Sequence, residues 1–397
     1  MSLAKATHEQ MRSFNRSLVL RTIYEQRSIS RADVARLTGL TRTTVSDLVA
    51  EVIGDGLVEE TGRGPSSGGK APILLRVVDD ARLLIGLDLG DKVFRGALVD
   101  LRGKILRSLE VESEGSGEGA LERAFRLVDT LLRGAGHQVL GIGIGTAGVI
   151  DTTVGTVVHA VNLGWRDLPL GALLRARTGL PVYVVNDSQA TALAEHVFGG
   201  FGGANLAVVK VGQGVGAGLV IDGHLYQGDG FGAGEIGHTT ARPDGDVCGC
   251  GRRGCLETLT SSRAILARLG ALAPEHAGSL ADAVAACRAG DPIVRHVVEE
   301  AGRELGRGVA WLIGALNVQR VVLVGSVTAF GDPWLEAVRA TAASCALPLL
   351  SGETTVEIGH LHDDGVILGA SALLMTRELG LSLTSLPGRS VAPGALS

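Results

Sequence analysis

The first apolar positions of the chain recur at helical spacing. Between residues 15 and 57 they form three segments, each with one apolar face, and each segment predicts a short amphipathic helix. Ser30 and Thr41 stand where N-caps are expected, and Gly39 permits the left-handed turn that ends the middle helix. Two short helices joined by a tight glycine turn predict a helix-turn-helix.

The pattern changes over residues 57–78, where two strand-like segments flank a tip rich in Gly, Pro and Ser. Such a segment predicts a β-hairpin, and a hairpin attached to a helix-turn-helix predicts a winged helix. The tip carries Arg63 and Lys70, which we predict to contact DNA phosphates.

The third helix is the predicted recognition helix, because such a helix presents its N-terminal residues to the major groove. Five polar residues at that end are predicted to contact DNA: Arg42, Thr43, Thr44, Ser46 and Asp47. Arg42 could hydrogen-bond guanine, and the threonines could meet phosphate or a thymine methyl group. A helical subdomain that only packs would show the same pattern, so the wing and its basic tip are what favour DNA binding.

From about residue 81 the chain is rich in glycine and alternates between apolar strands and helical segments. Residues 83–106 and 206–228 follow one plan: an apolar strand, a turn with glycine, a second strand, a short turn and a third strand. Two such units, each followed by helices, predict a duplicated α/β domain with a cleft between two lobes.

Composition agrees with several domains in a soluble protein. The chain has 397 residues, 45% of them hydrophobic and 20% charged, and this length exceeds one ordinary core. We expect a winged-helix head over residues 1–78, a two-lobed domain over 79–382 and a flexible tail over 383–397. No apolar run is long enough for a bilayer and no signal-peptide pattern is present, so we expect a cytoplasmic protein without membrane contact.

Charge adds a modest local signal. The net charge is −5, yet the first 76 residues contain 11 Lys+Arg against 8 Asp+Glu. The predicted head is therefore slightly positive within a negative protein, which agrees with DNA binding without establishing it.

Three of the five cysteines cluster in the stretch GHTTARPDGDVCGCGRRGCLE, residues 237–257. Cys248, Cys250 and Cys255 follow His238, and one histidine with three cysteines is an accepted ligand set for structural zinc. Buried free thiols are the alternative, whereas C-x-C does not match the C-x-x-C redox motif. We therefore predict a zinc site.

Polar side chains near this stretch are candidates for ligand binding. Asn186 and Asp187 follow an apolar strand, and ligands bind at strand ends in α/β domains. Either the two residues bind sugar hydroxyls, or Asp187 caps the next helix in an Asx turn. Glu235, His238 and Glu257 flank the cysteines. An imidazole that binds metal through one nitrogen can hydrogen-bond a ligand through the other.

Together these residues resemble the ROK family of repressors, open reading frames and sugar kinases, over roughly residues 12–380. The most specific motif is EIGH followed by CGCGRRGCLE, within residues 234–257. The resemblance implies an α/β, actin/hexokinase-like domain of two lobes, here preceded by a winged helix-turn-helix. The implied zinc ligands are His238, Cys248, Cys250 and Cys255. The implied sugar-binding residues are Asn186, Asp187, Glu235, His238 and Glu257.

The nucleotide side departs from the pattern of the family's kinases. Their first turn reads Asp-x-Gly-Gly-Thr, where this chain has DLGDK at residues 88–92. Their Gly-Thr-Gly turn is GQG at residues 212–214 here, and their Gly-Gly pair is Gly325-Ser326. Glycine amides and a threonine hydroxyl are what such turns offer to phosphate, whereas Asp91 brings a negative charge. Asp187, which matches the kinases' catalytic base, is therefore implied to be vestigial.

These features predict a transcriptional regulator rather than an enzyme. We expect a repressor of carbohydrate-metabolism genes that binds an inverted-repeat operator as a homodimer or homotetramer and senses a sugar or sugar derivative. Two alternatives stay open. One is an ATP-dependent sugar kinase with a DNA-binding head, and the other is a regulator controlled by a protein partner.

Overall fold

The computed structural model describes residues 7–65, 71–90, 93–113, 116–136, 138–201 and 203–381. Lys70, Asp91, Lys92 and the predicted tail 383–397 lie outside the described residues. Within the part that is described, no helix combines the length and apolar character needed to cross a membrane.

The head is a winged helix, as predicted. Its helices are α1 (His8–Gln26), α2 (Arg31–Thr38) and α3 (Arg42–Gly54), and its strands are β1 (Ile29–Ser30), β2 (Val58–Arg63) and β3 (Ile73–Val77). The side chains of Ser30 and Thr41 accept the backbone N–H groups of Asp33 and Thr44, which caps α2 and α3. Gly39 has a φ of 70° at the end of α2, as the tight turn requires.

The first lobe is a five-stranded sheet of order β11-β7-β4-β5-β6. Its strands are β4 (Leu83–Leu89), β5 (Val93–Val99), β6 (Ile105–Glu112), β7 (Val139–Thr146) and β11 (Val182–Asn186). A small sheet of β8 (Val149–Asp151), β9 (Thr156–Ala160) and β10 (Trp165–Leu168) extends from it, with helices α4 (Glu118–Arg133) and α5 (Leu170–Thr178).

The second lobe repeats this plan in a sheet of order β14-β13-β12-β15-β16. Its strands are β12 (Leu206–Val211), β13 (Val215–Ile221), β14 (His224–Tyr226), β15 (Arg320–Val324) and β16 (Thr355–Ile358). In both lobes three consecutive strands form an antiparallel meander, and two further strands add to the sheet in parallel. The internal repeat therefore corresponds to two equivalent sheets, as the sequence predicts.

Helices cover the second lobe and join the two lobes. They are α6 (Asp187–Val197), α7 (Glu257–Thr260), α8 (Ser262–Leu272), α9 (Leu280–Arg288), α10 (Pro292–Leu316), α11 (Asp332–Cys345), α12 (Pro348–Ser351) and α13 (Gly365–Leu379). Helices α6 and α13 pack closely because Gly369 lies against the backbone of Ala190, where a Cβ atom would clash. The N-terminus of α6 follows β11 directly and carries the candidate sugar-binding residues.

The head and the first lobe share one hydrophobic core. Leu20 and Val45 of the head belong to the same buried cluster as Leu374 and Leu379 of α13. Tyr24 of α1 adds a polar contact, because its hydroxyl donates to the carbonyl of Leu101 at 2.6 Å. The predicted boundary at residue 78 therefore separates two sequence patterns, but the packing is continuous across it.

Candidate metal centre and ligand cleft

The predicted metal ligands converge in one loop. The ligand atoms of His238, Cys248, Cys250 and Cys255 all lie within 4.8 Å of one another. The Cys248 Sγ–His238 Nδ1 distance is 3.5 Å, and the Cys250 Sγ–Cys255 Sγ distance is 3.7 Å. A tetrahedral ion with metal–sulfur bonds of about 2.3 Å and metal–nitrogen bonds of about 2.0–2.1 Å spaces its ligands by about 3.5–3.8 Å. The four residues therefore fit one tetrahedral metal ion.

Backbone hydrogen bonds hold this loop in shape. The N–H of Cys248 donates to Arg252 O at 2.7 Å, and the N–H of Leu256 donates to Thr239 O at 2.9 Å. Burial raises the pKa of the Cys255 thiol to about 12, whereas the backbone N–H of Arg252 lowers the pKa of Cys250. A bound cation would have to displace thiol protons, so metal affinity should rise with pH.

His238 connects the metal centre to the cleft. Its Nδ1 atom faces the cysteine cluster, and its Nε2 atom lies 3.9 Å from Glu235 Oε2. The imidazole thus has one nitrogen directed at the metal ligands and the other directed at a predicted sugar-binding carboxylate. This is the arrangement in which a metal orients a ligand-binding imidazole.

Asn186 is engaged in holding the backbone together. Its Oδ1 atom accepts the N–H groups of Ser188 at 2.9 Å and Gln189 at 3.1 Å, and its Nδ2 atom donates to Gly148 O at 3.0 Å. Asn186, and not Asp187, is therefore the cap of α6. Its predicted contact with a sugar stays a prediction, since one amide hydrogen is available for it.

Asp187 is the first residue of α6 and is bonded on both oxygens. Oδ1 accepts the N–H of Ser188 at 2.9 Å, and Oδ2 lies 2.5 Å from the ammonium of Lys210 on β12. Lys210 is not among the site residues that the sequence motifs predict. The available signal was a lysine inside the otherwise apolar strand LAVVKV, because an ionised side chain in such a position needs a partner.

Two further carboxylates face the same cleft. Glu257, at the start of α7, accepts the N–H of Val215 at 3.1 Å and faces the guanidinium of Arg263 at 3.4 Å. Burial raises the pKa of Glu235, His238 opposes this rise, and the negative charges of Asp187 and Glu257 add to it. The structure thus brings the predicted sugar-binding carboxylates together, and their contact with a sugar stays a prediction.

The predicted DNA-contacting residues within the described part of the chain lie at the start of α3 and at the end of β2. Arg42, Thr43, Ser46, Asp47 and Arg63 are exposed. Thr44 is half-buried, and its hydroxyl lies 2.9 Å from that of Thr41 in the helix cap. Among the described residues, Arg42 and Arg63 make no ion pair, whereas six other arginines of the head do. These are Arg12, Arg16, Arg21, Arg31, Arg36 and Arg76.

Similarity to known proteins agrees with this architecture. The model of the ROK family matches residues 84–377. The chain belongs to the ROK family. It is 33% identical over 390 residues to a protein of Caldicellulosiruptor bescii named xylose repressor, covering 94% of this chain and 98% of that protein. The resemblance to the family's fold is therefore confirmed.

Solved structures match either nearly the whole chain or about three quarters of it. A ROK family transcriptional regulator, described as a homologue of the E. coli MLC protein, superposes with a TM-score of 0.84 at 26% identity, covering 94% of this chain and 98% of that chain. A ROK family glucokinase from Streptomyces griseus, in complex with glucose and AMPPNP, gives a TM-score of 0.68 at 31% identity. The glucokinase covers 73% of this chain, and 98% of its own length is matched. The regulator thus matches a larger share of this chain than the kinase does.

Proposed function

We propose that this protein is a sugar-responsive transcriptional repressor of carbohydrate-metabolism genes, acting in the cytoplasm. The observation that carries the proposal is one hydrophobic core shared by a DNA-binding head and a two-lobed ROK domain. The relative named xylose repressor supports it, because that similarity extends over 94% of this chain. D-Xylose is therefore the first sugar to test.

DNA binding is assigned to the head and sugar binding to the cleft. Arg42 and the polar residues beside it would read bases in the major groove, and Arg63 and Lys70 would bind phosphates. The sugar would contact Asn186, Asp187, Glu235, His238 and Glu257, which offer amide, carboxylate and imidazole groups to hydroxyls. A homodimer or homotetramer would place two heads on an inverted repeat.

Regulation requires a difference in affinity. A sugar shifts operator occupancy only if it binds the DNA-free and DNA-bound forms unequally. The test is operator binding by the purified protein with and without D-xylose, using DNA identified by genome-wide mapping of bound sites. We expect xylose or another sugar of a panel to release the operator. Operator affinity that no sugar or sugar derivative changes would contradict the sensor role.

Zinc is the proposed occupant of the metal centre, because one imidazole and three thiolates in a tetrahedron suit Zn²⁺. When bound, it would supply structural cross-linking of the loop and would fix His238 toward the cleft. We expect about one zinc per chain by metal analysis. Cys250→Ala should lose the metal and lower the melting temperature of the protein, whereas Cys345→Ala, also at an exposed cysteine, should retain both. Full zinc occupancy in Cys250→Ala would count against this ligand set.

A sugar kinase is the second candidate, since the matched glucokinase shares the two-lobed domain. We expect it to fail, because phosphoryl transfer needs nucleotide phosphates that are positioned and neutralised. Asp187, which stands where the family's kinases have their base, is instead held by Lys210. The measurement is ATP-dependent phosphorylation of xylose and glucose. Robust turnover that Asp187→Ala abolishes would favour the kinase.

A further inference from the structure

Lys210 occupies an unusual place for a charged residue. It lies in β12, a central strand of the second-lobe sheet, between Gly216 of β13 and Val324 of β15. Its neighbours in β12 are apolar and buried. Withdrawing an ammonium from water is costly unless the charge is paired, so its partners must account for its presence.

The ammonium of Lys210 joins elements from both lobes. It lies 2.5 Å from Asp187 of α6, and 26% of its side chain is exposed. The charges of Asp88 on β4 and of Asp363 just before α13 also act on it. Lys210 therefore places one positive charge among three carboxylates that come from separate segments of the chain.

Removing this charge would leave two carboxylates in conflict. Burial raises the pKa of Asp88 to about 6, Lys210 lowers it, and Asp187 raises it. Like charges that share a partly dry site cannot both stay ionised at little cost. Lys210 thus offsets the charge of Asp187 and holds its Oδ2 atom, while the backbone N–H of Ser188 donates to the Oδ1 atom.

We propose that Lys210 is the positioning residue of the effector site, which pairs with Asp187 and orients its carboxylate to accept a hydrogen bond from a sugar hydroxyl. This inference rests on the proposed sugar-sensing function. Lys210 acts through Asp187 and through the charge balance with Asp88. The Oδ2 atom of Asp187 already has a cationic partner in Lys210. We therefore assign Asp187 a role in binding the sugar rather than in removing a proton from it.

The first test is calorimetry of the full-length protein with D-xylose, and with D-glucose in parallel. Lys210→Met should weaken sugar binding by about 30-fold, because the partly buried carboxylate of Asp187 loses its cationic partner. Lys210→Arg should recover part of this loss. Lys104→Met is the matched control, because Lys104 is exposed, and it should stay within about twofold of the wild type.

A rescue variant separates positioning from a merely structural role. Adding Asp88→Asn to Lys210→Met removes the like charge beside Asp187, so sugar affinity should recover by about tenfold. Retained operator binding shows that each variant is folded. If Lys210→Met binds sugar as the wild type does, or if Asp88→Asn brings no recovery, the proposal is overturned.

The pH dependence of thermal stability gives a readout that needs no sugar. The charged groups that act on Asp88 are Lys210, Asp187, Arg95 and Asp363. Without Lys210 the pKa of Asp88 should rise further, because burial and the charge of Asp187 raise it and Lys210 lowers it. The folded protein then binds more protons than the unfolded chain and gains stability as pH falls. The melting-temperature deficit of Lys210→Met should therefore shrink from about pH 8 to about pH 5.5, and Asp88→Asn should abolish this trend.

These experiments distinguish failure of the sugar-sensing function from failure of the role assigned to Lys210. If no sugar binds the wild type, the sugar-sensing function fails and the positioning role fails with it, whatever the melting temperatures show. If the wild type binds sugar and Lys210→Met binds it equally, the function stands and only the role of Lys210 falls. A deficit independent of pH would also count against the charge balance that the proposal requires.

Discussion

The charged side chains proposed to bind partners differ in their ion pairing between the head and the cleft. Among the described residues, Arg42 and Arg63 are exposed without an ion pair, whereas Asp187 is bonded to Lys210 and Glu257 faces Arg263. A free cation at a surface can bind an anion of another molecule without breaking an internal bond. A carboxylate that already has a cationic partner offers hydrogen bonds to a ligand rather than a strong attraction for a second charge. The comparison therefore indicates an anionic partner for the head and a neutral ligand for the cleft.

Salt provides the largest test of this comparison. Raising salt from about 50 to about 200 mM should weaken operator binding by about 10³-fold or more, because phosphate contacts release counterions. Sugar affinity should change by less than about twofold over the same range, since a neutral ligand releases none. Parallel titrations at several salt concentrations measure both. A sugar affinity as sensitive to salt as operator affinity would erase the contrast.

Substitution of Asp187 tests the cleft alone. Asp187→Ala removes a charged hydrogen-bond acceptor and leaves Lys210 unpaired, so sugar affinity should fall by about 100-fold. Operator affinity without sugar should be unchanged. Calorimetry and a DNA-binding assay measure the two effects, and Asp244→Ala at an exposed aspartate is the control. The same separation is expected for Glu257→Ala. Loss of operator binding in either variant would show that the cleft and head are not separable in this way.

Substitution of Arg42 tests the head alone. Arg42→Ala should cost about 1–3 kcal/mol at one base pair of the operator, and discrimination against substitutions at that position should relax. Sugar affinity should not change. The control is Arg36→Ala, because Arg36 is exposed in the same motif but pairs with Asp33 at 3.0 Å. If Arg36→Ala and Arg42→Ala have equal effects, the presence of an internal partner does not identify the DNA-contacting arginines.

Substitution of Arg63 in the wing should have the smallest effect of the four. Arg63→Ala should weaken specific and non-specific DNA binding by a similar factor and reduce the salt slope by about 1, as expected for one phosphate contact. Arg76, on the adjacent strand, pairs with Glu59 at 2.5 Å and serves as the control. The slopes of logarithmic affinity against logarithmic salt concentration measure the difference. An unchanged slope in Arg63→Ala would remove Arg63 from the interface.

Structural features whose residues lie close together in the sequence could be predicted from it. The metal ligands lie between positions 238 and 255, and a short loop brings them together. The caps Ser30 and Thr41 and the turn at Gly39 were predictable for the same reason, since each acts on residues within one helical turn. Local spacing determines the geometry of such features, so the sequence pattern contains it.

Features assembled from distant segments were not predictable in this way. The ion pair of Lys210 with Asp187, and the influence of Asp88 on it, depend on how two sheets and α6 meet. The position of Asn186 at a strand end and the family resemblance both predict a ligand contact, whereas its hydrogen bond to the carbonyl of Gly148 becomes visible only in the folded structure. Such contacts follow from tertiary packing, which one sequence does not show.

The core shared by the head and α13 has a consequence for engineering. Cutting the chain near residue 78 would divide the buried cluster that contains Leu20 and Val45 of the head and Leu374 and Leu379 of α13, and would expose apolar surface on both pieces. Newly exposed apolar patches promote aggregation, so neither half should behave as an interchangeable module. A regulator with a new operator specificity should therefore be made by changing individual residues at the start of α3, without altering the packing of the head against the ROK domain.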